Sequence, residues 1–311
     1  MPLLRVEAER LSNNQLISGV IDEIIDRDDL FALLPFVKVD GKAYLYNREK
    51  TIGGADWLDP NEAINESAAT FEEVVAKLRI LAGDVDVDKF LMATMGDTNS
   101  QLAIQIAKKA KTVAREFHRA LATGNATTNP KMFDGLPVLL KQAQDYAATV
   151  GGSQVVSAGT NGNALTMSML DELVDAVPNG ADVIVMRRGT IRAYRALLRA
   201  TYGTDAVMQQ LENFGRPMLT HNGIPIIMNE FLAGNETKGT AVGNTTSIYA
   251  LRVNESDGLH GLYGGDNAGL VVENIGTVQN KDAVRIRTKW YTGLALKSTR
   301  SIAAIQGVTN I

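Results

Sequence analysis

Residues 49–70, EKTIGGADWLDPNEAINESAAT, are rich in Gly, Asp, Asn, Glu and Ala and follow neither a helical nor a strand period. Strand-like stretches flank them, 44–48 on one side and 71–81 on the other, so the excursion leaves the body of the protein and returns to it. So polar a segment does not pack into its own subunit's core, and an isolated two-stranded ribbon is marginal in water. It is expected to lie on something else.

The rest of the chain reads as alternating helices and strands. Leu16, Ile17, Val20, Ile21, Ile24 and Ile25 recur at threes and fours, which predicts an amphipathic helix over 12–34, capped by Ser12 or Asn13 and stopped by Pro35. Val37, Val39, Tyr44 and Tyr46 alternate about Asp40-Gly41, which predicts strand, turn and strand. The most regular element follows over 98–123, where Leu102, Ile106, Ala110, Val113, Phe117 and Leu121 form one stripe of a helix roughly 36 Å long at 1.5 Å per residue. Asp97, Thr98 and Ser100 offer N-caps, and Gly124-Asn125 a stop. Lys108, Lys111, Arg115 and Arg119 form a second, basic row on it.

A Gly- and Ser-containing stretch at 151–162 marks a boundary. Beyond it the pattern predicts helix 166–177, strand 182–186, helix 190–199, a short helix 206–211, and strands 224–229 and 247–253. The end, 283–305, is strand-like, with Val284, Ile286, Thr288 and Trp290 alternating against Arg285, Arg287 and Lys289. Interleaved helices and strands make the second unit an α/β or α+β domain.

Composition excludes several classes. A 311-residue chain with 45% hydrophobic and 21% charged residues builds a core without disulfides or metals. It has no cysteine, which removes thiolate nucleophiles and cysteine-type zinc sites. A net charge of -4 gives no overall attraction to nucleic acid, so any DNA contact has to come from a local patch. The N-terminal stretch lacks a signal-peptide pattern and no apolar run is long enough to span a bilayer, so the chain is expected to stay in the cytoplasm where it is made.

No catalytic, cofactor or metal constellation emerges. Asp84, Asp86 and Asp88 imitate the start of a calcium loop, but Lys89 and Met95 stand where Gly and a bidentate Glu are needed. A strand end leading into a helix fits better. His118, His221 and His260 have no ligand-set spacing and read as structural or solvated. The glycine-rich stretches match neither a P-loop nor a dinucleotide turn, and Gly151-Gly152-Ser153-Gln154-Val155 is not a nucleophile elbow.

Five stretches, LFALLPFVKVDGKAYLYNRE, FEEVVAKLRILAGDVDVDKFL, NPKMFDGLPVLL, NGIPIIMNEF and VRIRTKWYTGLALKSTRSIAAIQGV, resemble in their order the major capsid proteins of tailed bacteriophages, which implies their α+β, HK-97-like fold. The resemblance implies an N-terminal arm at 1–35, an extended β-hairpin loop at 36–82, a peripheral domain with the spine helix at 83–150, an axial domain at 151–280, and a return to the peripheral domain at 281–311. It implies a non-enzymatic shell subunit that assembles with itself as pentamers and hexamers around double-stranded DNA, in a virion put together in the host cytoplasm. A portal, a possible decoration protein and no membrane go with it. Because the arm begins at Met1, a separate scaffolding protein is expected, or none. Lys42 and Lys50 are candidates for the lysine side of the crosslink some relatives form, with no acceptor matched.

Two sets of contacts follow. If the loop lies across a neighbour, Trp57, Glu62 and Glu66 are candidate inter-subunit residues, with Arg285, Arg287 and Lys289 as their basic counterpart. Lys108, Lys111, Arg115 and Arg119 either face solvent or meet packaged DNA or an acidic scaffold. The competing functions are an encapsulin-like nanocompartment shell, with the same architecture, and an α/β enzyme built on the second unit.

Overall fold

A computed structural model describes residues 30–94, 101–149, 152–202, 208–210, 217–265 and 269–309. The predicted helix 12–34 lies outside these residues except for its last turn, α1 (Leu30–Leu33). The caps expected at Asp97, Thr98 and Ser100 also lie outside them.

The first sheet has five strands: β1 (Phe36–Lys38), β4 (Arg79–Asp88), β12 (Leu259–Tyr263), β13 (Val271–Thr277) and β14 (Ala283–Leu296). The long β14 is its spine, pairing antiparallel with β4, β12 and β13. β2 (Ala43–Thr51) and β3 (Thr70–Lys77) pair only with each other, as a separate ribbon. The turn at Asp40-Gly41 therefore does not close a hairpin. β1 instead adds in parallel to β12, and the chain then changes sheet. Packing decides this, since Phe36 stacks between Phe117 and Trp290, at centroid distances of 6.1 and 5.7 Å. The parallel register sets Phe36 opposite Gly261, where a side chain in place of the glycine would run into its ring.

The second sheet runs in the order β5 (Val155–Ser157), β15 (Ile302–Val308), β11 (Ala241–Leu251), β6 (Val183–Met186), β9 (Ile224–Met228), β8 (Pro217–His221) and β7 (Met208–Gln210), with β10 (Glu236–Lys238) on β11. β7 falls where a short helix was predicted; pairing with β8 overrides the helical propensity of Met and Gln. The strand-like end of the chain is two strands in two sheets, joined by a single 3-10 turn, Thr299–Ser301. Asn222 and Gly223, at φ 49° and 82°, make the two-residue turn between β8 and β9, where positive φ at both positions is required.

The two-residue period of the central strands builds two cores. Val183 and Val185, Tyr249 and Leu251, Ile302 and Ala304 face one side, where α3 (Gln101–Thr123) and α4 (Leu136–Thr149) contribute Phe117, Leu121, Leu136 and Leu140. Ile184 and Met186, Ile248 and Ala250, Ala303 and Ile305 face the other, covered by α5 (Met167–Asp175) and α6 (Arg188–Tyr202) through Leu170, Leu173, Tyr194 and Leu198. Both faces being covered explains the near-continuous apolar runs of β6 and β15. The helix predicted over 166–177 is α5, and Thr166 caps it, its side chain accepting from the Met169 N–H at 3.3 Å.

The predicted long helix is α3. Its stripe is buried at Val113, Phe117 and Leu121 and only half-buried at Leu102, Ile106 and Ala110. Phe117 fixes the buried end, 4.7 Å from the Trp290 ring of β14 and 5.4 Å from Phe133. Among the described residues no helix is long and apolar enough to cross a membrane.

Candidate assembly surfaces

The basic face of β14 has partners within its own chain. Register sets Arg285 opposite Asp86 and Arg287 opposite Asp84 of β4. Each arginine donates two hydrogen bonds to its aspartate, Arg285 at 2.6 and 2.7 Å and Arg287 at 2.7 and 2.8 Å. Lys289 reaches Glu273 of β13 at 2.5 Å. The guanidinium hydrogen bonds hold the Asp84 and Asp86 carboxyls below the ordinary carboxylate range, and Glu273 raises Lys289. Asp88 has a different role: its carboxylate accepts from the Phe90 N–H at 2.8 Å and so caps α2 (Lys89–Thr94), the strand-to-helix transition read from sequence.

The ribbon is tied down at its foot. The Tyr46 hydroxyl donates to the Leu296 carbonyl at 2.7 Å, and Arg48 donates to the Leu296 and Lys297 carbonyls at 2.7 and 3.0 Å. Tyr44 meets His260 edge-on at 5.8 Å and lies under the Lys297 ammonium. Burial raises Tyr46 and lowers His260. Glu49 and Ile52 line a cleft with Tyr146, Asn179 and Arg300 of the body, and beyond them the ribbon is exposed. Trp57 is fully exposed, and Ile52, Ile64 and Phe71 are exposed with it. The tip is held by its own bonds, with the Asp59 N–H donating to Glu62 at 2.8 Å and Ser67 Oγ to the Gly54 carbonyl at 2.7 Å. Glu66 is exposed.

The structure therefore brings Arg285, Arg287 and Lys289 together with Asp84, Asp86 and Glu273, and leaves Glu62 and Glu66 apart from them. The basic row of α3 is less open than its spacing implies. Arg115 lies 5.2 Å over the Phe231 ring, Arg119 pairs with Glu116 at 3.3 Å, and Lys108 and Lys111 are half-buried. A basic surface that the sequence reading missed lies on α6, where Arg188, Arg192, Arg195 and Arg199 recur at fours and threes and are exposed. That spacing was the available signal. All three histidines are buried, His221 bridging the Tyr194 hydroxyl at 3.2 Å and Asp171 at 3.0 Å.

No protein-family model and no curated protein sequence matches the chain. Solved structures match it over nearly its whole length. The holo-SrpI encapsulin complex from Synechococcus elongatus PCC 7942 is similar with a TM-score of 0.73 at 21% identity, covering 99% of this chain and 97% of that one. The capsid of an empty GTA particle gives 0.68 at 17%, covering 96% of each. A structure from Microbacterium phage Oxtober96 gives 0.64 at 14%, covering 97% and 98%. The chain has the HK-97-like fold, in which shell-forming subunits of phage capsids and encapsulins are built.

Proposed function

We propose that this chain is the major capsid protein of a tailed phage, assembling with itself as pentamers and hexamers into an icosahedral head around double-stranded DNA, and that it is not an enzyme. The observation that carries the reading is the ribbon: a shell fold whose β2-β3 tip holds a fully exposed tryptophan is suited to pairing with other copies and unsuited to life as a monomer. In this reading residues 1–35 form the arm, 36–82 the extended loop, 83–150 the peripheral domain, 151–280 the axial domain and 281–311 the return. β12 and β13 would then be axial-range strands lent to the peripheral sheet, and β15 a return strand lent to the axial one. A portal and a separate scaffolding protein are the further partners proposed, a decoration protein is optional, and assembly takes place in the host cytoplasm.

A second reading, a nanocompartment shell holding protein cargo, is favoured by the likeness to the holo-SrpI encapsulin complex over nearly all of both chains. Electron microscopy and sedimentation of the purified chain test the shared part: closed particles support it, and a monomer or small oligomer contradicts it. The content of particles isolated from their source separates the two. Nuclease-protected double-stranded DNA is expected for the phage head, and protein cargo for the nanocompartment.

A further inference from the structure

A cavity of about 230 Å³ lies between the start of α4 and the strands β10, β11 and β15. The two-residue period of β11 turns Thr245, Ser247 and Tyr249 toward it, and all three are buried. Leu140 and Pro137 of α4 give it an apolar wall. Glu236 of β10 is its one acid among the described residues.

The Glu236 carboxylate accepts from Ser247 Oγ at 2.6 Å, which fills one of the roughly four lone-pair positions a carboxylate offers. Burial is the largest influence on its carboxyl and pushes it above the ordinary value, and among the described residues no cation offsets this. Lys238, two residues along the strand, lies over Gly307, where an added side chain would meet its Cγ, and contributes nothing to the charge balance of Glu236. The first turn of α4 does not answer the carboxylate either. Pro137 has no N–H, and those of Val138 and Leu139 both go to the Gly135 carbonyl at 3.1 Å. Beside it the Tyr249 hydroxyl is raised by burial and then by the charge of Glu236, so it stays un-ionised and keeps lone pairs to share. A divalent metal does not suit the place, since no group of three His, Asp or Glu forms among the described residues.

We propose that this cavity binds a primary alkylammonium group, its N–H donors on the Glu236 carboxylate and the Tyr249 hydroxyl and its methylenes against Leu140 and Pro137. Hydrogen bonds between two ionised partners are roughly twice as strong as neutral ones, so a half-buried carboxylate gains more from an ammonium than from water. At about 230 Å³ the space falls below the roughly 300 Å³ of a small drug-sized pocket, which sets the ligand at a short chain. The end of a free aliphatic amine and the tip of a lysine presented by a neighbouring copy share that chemistry. The site stands apart from the shell reading and does not depend on it.

The probe is n-butylammonium chloride, titrated at constant ionic strength into the full chain and followed by saturation-transfer NMR on the butyl protons. Saturable binding is expected. 1-Butanol, which lacks the charge, and tetramethylammonium, which lacks N–H donors, are expected not to compete. Glu236→Gln, close in shape to the parent side chain, should weaken binding about tenfold or more, the loss of one charged hydrogen bond, with circular dichroism unchanged. Tyr249→Phe should weaken it by a smaller factor. No saturable binding to the parent, the result for a cavity that holds water alone, overturns the proposal. Equal competition by 1-butanol overturns it too, as does an affinity unmoved by Glu236→Gln. Binding that appears only after Lys238→Ala would show that the chain's own lysine fills the cavity, and also overturns it. The same titration on assembled particles separates the two sources of the group. Uptake by unassembled chain and particles alike assigns a free amine, and uptake by unassembled chain alone assigns a neighbour's lysine. A chain that forms no particles removes the shell reading and leaves the cavity to be decided by the titration of the chain itself.

Discussion

Arg287 and Asp84 face each other across β14 and β4 and share two hydrogen bonds, of 2.7 and 2.8 Å, with Arg285 and Asp86 repeating the arrangement two residues along. Both aspartates are held below the ordinary carboxylate value, chiefly by these hydrogen bonds. A carboxyl lowered in the folded state binds protons more readily once unfolded. Its contribution is therefore present above the unfolded value, about 3.9, and is lost as pH falls through the lowered one. Urea midpoints measured from pH 7 to pH 2.5 are expected to fall more steeply for the parent than for Asp84→Asn with Asp86→Asn. The double variant should be the less stable at pH 7, and the gap should close at the acid end. Parallel curves would show that the pairs add nothing to folding.

Gly261 is the place where β1 can approach β12, because the Phe36 ring occupies the space its side chain would need. Gly261→Ala is expected to cost about 1–3 kcal/mol, the range for overpacking a filled core. Adding Phe36→Leu should recover part of that. The check is chemical denaturation of the three chains; a silent Gly261→Ala would mean that β1 is loosely held.

The two ends of α3 should respond differently to truncation. Phe117→Ala removes a ring packed against Phe36, Phe133 and Trp290, and is expected to cost about 3–5 kcal/mol. Ile106→Ala, at a half-buried position on the same stripe, should cost well under half as much. Equal losses in thermal unfolding would mean that the isolated subunit covers both ends alike.

Elements whose evidence is local were readable from sequence. The stripe from Leu102 to Leu121 is α3, Thr166 opens α5, and the apolar run at 182–186 is β6. Pairing between distant segments was not readable. Asp40-Gly41 has the composition of a hairpin turn, yet the partner of Phe36 is Gly261, and no local rule selects it. The alternation of Arg285, Arg287 and Lys289 identified a basic face but not its partner. The signal was present in GDVDVD, whose acids alternate with the same period and therefore share one face of an antiparallel neighbour. Neither the calcium-loop pattern nor the strand end leading into a helix points to that partner.

Removing the tip separates folding from assembly. Deletion of residues 52–68 takes away exposed chain and none of the buried core. The shortened protein is expected to keep the parent's melting temperature within a few degrees and to form no stable particles on size-exclusion chromatography. Normal particles from it would deny the ribbon a part in assembly.

The charges of β14 allow one further discrimination, between partners inside the chain and partners in a neighbour. Arg285→Glu with Arg287→Glu sets two new carboxylates against Asp84 and Asp86, and like charges directly opposite each other on paired strands destabilise them. The first consequence expected is a loss of folding stability in the isolated subunit, before any effect on assembly. Adding Asp84→Arg and Asp86→Arg restores opposite charges in the same register and should recover most of that stability. Adding Glu62→Lys and Glu66→Lys should not, because the tip of the ribbon does not meet β14 within the chain. If the arginines also serve a neighbour's ribbon, the Glu62 and Glu66 reversals will instead improve particle formation without changing the melting temperature. Thermal unfolding and particle yield, measured on the same four chains, give separate answers. Stability restored by the aspartate exchange, with yield indifferent to Glu62 and Glu66, assigns the ladder to the fold. Yield that rises only with the glutamate reversals assigns it to the contact between subunits.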